Sequence, residues 1–382
     1  KEGEIVFANE PLLRIEAPLI QAQIMETAIL NIVNYQILIA TKAARIKHLC
    51  PDEVCMEFGT RRAHEFDAAI WGTRASIIGG FDATSNVKAA KLFNIPCSGT
   101  HAHSFVQAYE DEEVAFKKYA AAHKDCYFLV DTYDTLRSGI PTAIKVADEL
   151  KDKINFHGIR LDSGDIAYLS KEARKMLDEA GYPNAKIVAS NDLDEDTITH
   201  LKQEGACIDA WGVGTKLITA YDNPALGAVY KLACLENDNG EMIDRLKVSE
   251  NPAKLTVPGV KRVYRIINTD TGMAAGDYIA LEKEDVNAEQ SIKLFHPTHT
   301  YLAKEVENFK AIDIHEDIFV NGKQVYEVPT VQESAKYFQQ NKGLLWNEYL
   351  RLLNPEFYPV DLSTKCWENR KEILERVTKK SK

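Results

Sequence analysis

The chain has 382 residues, 45% hydrophobic and 27% charged, a composition that can bury a sizeable core and excludes disordered and fibrous classes. Lys and Arg number 46 against 57 Asp and Glu, giving a net charge of −11. That balance opposes broad attraction to nucleic acid or to an anionic membrane, so an anionic ligand must be held by a local site.

No apolar run reaches the ~18 residues of a membrane span, and the opening KEGEIVFANEP lacks the order of a signal peptide. The seven cysteines (50, 55, 97, 126, 207, 234 and 366) are odd in number and never spaced C-x-x-C. They predict reduced thiols in a cytoplasmic protein rather than a disulfide framework or a zinc ribbon. At about 150 residues per domain, the length predicts two domains or one barrel with an appendage.

In chain order, residues 1–16 alternate apolar and polar around Asn9-Glu10-Pro11 and read as a hairpin left from an N-terminal sheet. Lys1 opens within that pattern, which implies that an upstream segment has been removed. Residues 17–47 carry helical spacing through Ile24, Ala28, Ile32, Ile37 and Ile39 and end in Lys42, Arg45 and Lys47. From residue 52 short apolar runs alternate with polar clusters and amphipathic segments, the pattern of parallel β/α units. The runs are Val54–Phe58, Ser76–Phe81, Ile95–Ser98, Cys126–Val130, Ile154–Ile159, Lys186–Ala189 and Cys207–Trp211, with Ala228–Leu235 as a candidate eighth strand. Between two of them Ser170 reads as an N-cap and Gly181 as a helix stop. Residues 241–330 read as short strands, and 332–382 as polar and largely helical. The predicted fold is an irregular β/α, TIM-like barrel over 51–235. The stretch after it reads as a second, β-rich domain.

A barrel's catalytic groups project from the loops after its strands. Gly212-Val-Gly214-Thr215 could cradle a phosphate or could be a tight turn. Arg61 and Arg62 suit a carboxylate, a phosphate or an aromatic face, or else a structural ion pair. His101 and His103 lack further ligands at metal spacing, so one fits a nucleophile or acid–base group and the other a structural histidine. Asp162 and Asp165, beside Arg160, suit a diol or Mg²⁺ on a pyrophosphate, with a helix N-cap as the plain alternative.

Six strings, Glu57-Phe-Gly-Thr-Arg-Arg-Ala, Gly79-Gly-Phe-Asp-Ala-Thr-Ser-Asn-Val, Gly99-Thr-His-Ala-His-Ser, Arg160-Leu-Asp-Ser-Gly-Asp, Ala189-Ser-Asn-Asp-Leu-Asp-Glu and Trp211-Gly-Val-Gly-Thr, resemble those of nicotinate phosphoribosyltransferases, in the family's order. The likeness runs from Glu4 to about residue 375, and Asp361-Leu-Ser-Thr-Lys-Cys-Trp is similar to the bacterial branch. The resemblance implies a type II phosphoribosyltransferase, an irregular β/α, TIM-like barrel over 51–235 joined to a second α/β domain built from a remnant at 1–50 and a segment at 236–382. Such an enzyme makes nicotinate mononucleotide and pyrophosphate from nicotinate and phosphoribosyl pyrophosphate, with ATP as co-substrate and Mg²⁺. It also implies a homodimer with shared sites, in which an aromatic residue from a segment preceding this chain reaches the partner's pyridine ring.

Carried over residue by residue, the resemblance makes His103 the phosphohistidine and His101 a bystander. Asp162 lies near the ribose hydroxyls, and Thr100, Arg160 and Thr215 touch substrate. Phe58 and Arg61 hold the pyridine ring, while Asn191, Gly212 and Gly214 meet phosphate. Nicotinamide phosphoribosyltransferases, the nearest alternative, carry Asp where Ser85 stands, and serine removes a carboxylate that would repel nicotinate. A sugar-phosphate barrel enzyme using Lys216 and a non-catalytic phosphoribosyl pyrophosphate sensor are the rivals from other classes.

Overall fold

The computed structural model describes residues 1–248, 256–296 and 299–380. The chain divides into two compact units, one of residues 32–226 and 330–335, the other of residues 1–31, 227–329 and 336–382. These divisions fall at 31/32 and 226/227, compared with 50/51 and 235/236 read from the sequence.

The first unit is built on six parallel strands: β1 (Val54–Glu57), β2 (Ala83–Thr84), β3 (Asp125–Leu129), β4 (Asn155–Leu161), β5 (Lys186–Ser190) and β6 (Ala210–Val213). Their order, β2-β1-β6-β5-β4-β3, is a curled sheet open between β2 and β3. Helices on its outer face close over buried Val146, Ala173, Leu177 and Ile198. Inside, Met56, Ala83, Val188 and Ala210 pack against Phe58 and Tyr127. Helix Glu26–Leu49 bears out the periodicity of 17–47, and its Lys42 and Arg45 clamp the buried Glu195.

Several elements differ from the sequence expectations. Ser76–Phe81 is no strand: its apolar residues end helix Phe66–Ile78, because a short apolar run has the same pattern in a buried helix as in a strand. The strand lies in the following cluster, at β2, and Ile95–Ser98 contributes only a parallel bridge between Cys97 and Thr84. Helix Ile166–Glu179 is capped by Asp165, whose carboxylate accepts from Tyr168 N at 3.0 Å, while Ser170 is buried inside it. Residues 228–235 are not an eighth strand, since Cys234–Glu236 pairs antiparallel with Met242–Asp244 in the other unit.

The second unit draws on both ends of the chain, as expected. Its four-stranded sheet orders Phe309–Asp313, Lys261–Asn268, Ala274–Leu281 and Val360–Leu362, with only the last pair parallel. Residues 1–16 form no hairpin. They are held by side chains: Arg265 reaches Glu4 Oε1 at 2.6 Å and Ile5 O at 2.7 Å, and Phe7 stacks on Tyr358. Arg265 and its partner Asp277 are buried, so the paired charges also satisfy each other's hydrogen-bonding groups.

Candidate active site

The strand ends of the first unit bring most of the expected residues together. Arg160, the penultimate residue of β4, is the hub. Its Nε donates to Ser190 Oγ at 2.8 Å, its Nη1 to Thr100 Oγ1 at 3.0 Å and its Nη2 to Asp162 Oδ1 at 2.9 Å. Its guanidinium carbon lies 5.2 Å from the centre of the Phe58 ring. A planar cation can use its fork and its face at once, and a lysine could not. Burial alone would raise the Asp162 carboxyl, but Arg160, the Ser190 hydroxyl and His103 outweigh it and hold the group below the usual carboxylate range.

His103 opens helix His103–Gln107 and lies over this cluster. Its Nδ1 is 3.1 Å from Thr132 Oγ1, and its Nε2 is 3.5 Å from Asp162 Oδ2 and 4.0 Å from Asp131 Oδ1. Asp131, just after β3, was not singled out from the sequence. Its side chain is 1% exposed, and its Oδ2 accepts from Asp162 N at 2.8 Å and Ser163 Oγ at 2.7 Å, while Oδ1 has no hydrogen-bond partner. The signal was available: an Asp begins the polar cluster after the run that became β3, as Asp162 does after β4.

Phe58 rests on Gly212. A Cβ at Gly212 would lie 2.5 Å from two atoms of the ring, so the glycine makes room for the aromatic side chain. Gly212 lies within β6, opposite Met56 and Ser190, rather than in the loop after the strand. The strand runs Ala210–Val213 rather than Cys207–Trp211, so it ends two residues later than the sequence predicts. Gly214 caps the four-residue helix Thr215–Ile218, so Thr215 sits at the strand end and helix start, where the sequence placed it. Asn191, exposed after β5, has a φ of 108°, a strained value for a residue with a side chain.

Arg61 is exposed on the turn Thr60–Arg62 after Phe58 and makes no ion pair among the described residues. Ser85 is exposed after β2, its amide donating to Glu57 O at 3.0 Å, and its Cβ faces Gly99. Beneath them Glu57 is fully buried. It accepts from Thr73 and Thr84 hydroxyls and from Gly59 N, and burial pushes its carboxyl upward. His101 does not share the mouth with His103: it is buried among Phe105, Phe116 and Tyr119. Lys216 is held by Asp194 at 2.5 Å, which raises its pKa and argues against a nucleophilic amine.

Comparison with known proteins agrees with this architecture. Residues 54–248 match the model of the nicotinate phosphoribosyltransferase (NAPRTase) family, and residues 260–370 that of the nicotinate phosphoribosyltransferase C-terminal domain. The nicotinate phosphoribosyltransferase of Bacillus subtilis (strain 168) is 64% identical over 377 residues, covering 99% of this chain and 77% of that protein. The chain belongs to the nicotinate phosphoribosyltransferase family. Among solved structures, human nicotinic acid phosphoribosyltransferase superposes with a TM-score of 0.81 at 27% identity, covering 97% of this chain and 81% of that one. Nicotinate-nucleotide pyrophosphorylase from Pyrococcus furiosus gives 0.60 at 25% identity, covering 84% and 73%. As a nicotinate phosphoribosyltransferase family member the chain is an enzyme of the transferase class. Among its described residues no helix is long and apolar enough to cross a membrane.

Proposed function

We propose that this nicotinate phosphoribosyltransferase couples ATP hydrolysis to transfer through His103, and that the cluster of His103, Asp131, Asp162, Arg160 and Thr100 is its reaction centre. The observation that carries the proposal is the Arg160 fork, which joins Thr100, Asp162 and Ser190 beneath the half-exposed His103.

Two carboxylates on the Nε2 side of His103 favour a proton there, leaving the Nδ1 lone pair as nucleophile. That nitrogen bonds to the γ-phosphorus of ATP as the bond to the ADP oxygen breaks, and water later attacks the phosphorus as the N–P bond breaks, releasing phosphate and restoring the imidazole. In the transfer step the pyridine nitrogen of nicotinate bonds to ribose C1 while the C1–oxygen bond to pyrophosphate breaks. Positive charge develops on the ribose ring, and Asp162, kept ionised by Arg160, is placed to stabilise it. Nicotinate lies between the Phe58 ring and Arg61, its carboxylate meeting Arg160 and Thr100. Thr215, Gly214 and Asn191 meet phosphate at the ends of β5 and β6. Mg²⁺ fits the same centre, because Asp131 Oδ1 is a buried carboxylate oxygen without a partner and Asp162 lies beside it. When bound, it neutralises charge on the departing pyrophosphate.

Seven free cysteines support a cytoplasmic protein, and the exposed apolar Leu19, Ile20, Ile24 and Met25 around helix Leu19–Ile24 support a homodimer. The test is mononucleotide formation from nicotinate and from nicotinamide, with phosphoribosyl pyrophosphate, with and without ATP. The expected result is product from nicotinate, increased by ATP, with stimulation and phosphohistidine labelling both lost in His103→Ala. Labelling that survives in His103→Ala overturns the assignment, and preference for nicotinamide overturns the substrate.

A further inference from the structure

We infer that His101, rather than being a bystander, seals the open seam of the barrel and so positions Thr100 and His103 in the site. The inference rests on the reading of His103 as phosphoryl acceptor.

The sheet has two edges, β2 and β3. Residues 96–98 are fastened to the β2 edge by main-chain bonds, Thr84 N to Pro96 O at 3.1 Å and Ser98 N to Thr84 O at 2.9 Å. From there the chain must cross to β3 before delivering His103. On β3, Val130 N donates inward to Arg160 O of β4 at 3.2 Å, so the alternate N–H of Leu129 faces the open edge. A buried edge N–H needs an acceptor, and no strand supplies one. His101 Nε2 accepts it at 3.1 Å. The segment is thus tied by main chain to one edge and by one side chain to the other. Thr100 and His103 flank that side chain, one and two residues away.

The ring suits this task. It is 6% exposed, 4.9 Å from the Tyr119 ring and 5.6 Å from that of Phe105, which itself belongs to the helix begun by His103. Burial pushes its pKa down to about 4, so near pH 7 it is neutral, and with the proton on Nδ1, which has no hydrogen-bond partner, the Nε2 lone pair accepts. No charge need enter the core for the seam to close.

The test compares His101→Phe, which keeps an aromatic ring but has no acceptor, with His101→Gln, whose amide oxygen reaches about as far as Nε2. Exchange of the Leu129 amide, the rate of His103 phosphorylation by ATP, and kcat and KM for nicotinate are measured well below each melting temperature. In His101→Phe, Leu129 exchange should accelerate and phosphorylation and kcat fall by roughly 10- to 100-fold, the scale of a ~1 Å misplacement. His101→Gln should restore both to within about threefold of the parent chain, a rescue that volume alone would not produce. Unchanged phosphorylation and kcat in His101→Phe overturn the proposal, whether or not Leu129 exchange accelerates. If His101→Phe does not fold, His101→Gln against His101→Asn decides, because the shorter amide falls short of Leu129 N and equal rates overturn the proposal. Absence of ATP-dependent nicotinate turnover in the parent chain would instead overturn the functional reading, leaving the Leu129 exchange result to stand alone.

Discussion

Replacing Gly212 with alanine separates a spacer under the Phe58 ring from a phosphate contact. The added Cβ would lie 2.5 Å from both Phe58 Cδ2 and Cε2, and 3.3 Å from Ser190 Cβ. Carbons in ordinary contact lie ~3.5–4.0 Å apart, so the ring must retreat by about 1 Å. The obstruction is a half-buried side chain, so the fold survives with a loss of roughly 1–3 kcal/mol for overpacking. A ring displaced by ~1 Å no longer holds the pyridine over the reaction centre, and such misplacement costs on the order of 10²-fold. Steady-state kinetics with each substrate varied in turn should show kcat/KM for nicotinate down about 10- to 100-fold and KM for phosphoribosyl pyrophosphate within ~2-fold of the parent. A rise confined to the KM for phosphoribosyl pyrophosphate, with nicotinate unaffected, would refute the spacer role and restore the phosphate loop.

Ser85→Asp should shift the ratio of kcat/KM values toward nicotinamide by roughly 10-fold or more, since the new carboxylate repels the acid and accepts from the amide; an unchanged ratio removes Ser85 from specificity. Asp131→Asn keeps an oxygen for Asp162 N and Ser163 but loses the charge facing His103 Nε2, so phosphohistidine labelling should slow by about 10²-fold while the melting temperature changes little. Equal labelling would show that Asp131 only braces the loop. Acid titration of stability tests His101. Its pKa falls on folding from 6.5 to about 4, so the unfolded chain binds the extra proton between those values and stability drops as pH falls through that window. The contribution is about 3 kcal/mol, and the difference in melting temperature between the parent and His101→Gln should narrow from pH 7 to pH 4. A constant difference would show that the ring titrates when folded as it does when unfolded.

The strand-end clusters were legible because β/α units announce themselves twice, by an apolar run and by the polar residues that follow it. Thus Arg160, Asp162 and His103 were placed correctly in one mouth. Two kinds of feature were not legible. One is strand bounds: periodicity does not say whether β6 ends at Trp211 or Val213, and that two-residue difference moves Gly212 from loop to sheet. The other is the seam. A strand edge without a partner leaves no pattern in the sequence, so nothing marked His101 as its acceptor, and nothing showed that Ser76–Phe81 would finish a helix rather than start a strand. Asp131 falls between these cases. Its cluster was visible, but its rank among the carboxylates depended on the distance to His103, which only the fold supplies.

The Arg160 side chain explains why such a small cluster can be selective. Three of its five N–H groups are already engaged, by Ser190, Thr100 and Asp162, and these acceptors lie on β5, on the segment bound for His103 and just after β4. The guanidinium is therefore held before substrate arrives, its central carbon over the Phe58 ring and two donors left over. Fixing it costs the ligand no ordering of a long side chain, and that is the term that usually weakens surface ion pairs. Asp162 balances its charge, so the pair does not attract anions indiscriminately in a chain of net charge −11. What remains is directional: two N–H groups aimed along a plane suit a planar carboxylate on a ring stacked against the same aromatic face, and suit a tetrahedral phosphate less well. Arg61, exposed and without an ion pair among the described residues, would on the proposed reading supply the charge that Arg160 has neutralised. On the proposed reading, orientation from one arginine and net charge from the other would together distinguish an aromatic acid from its amide.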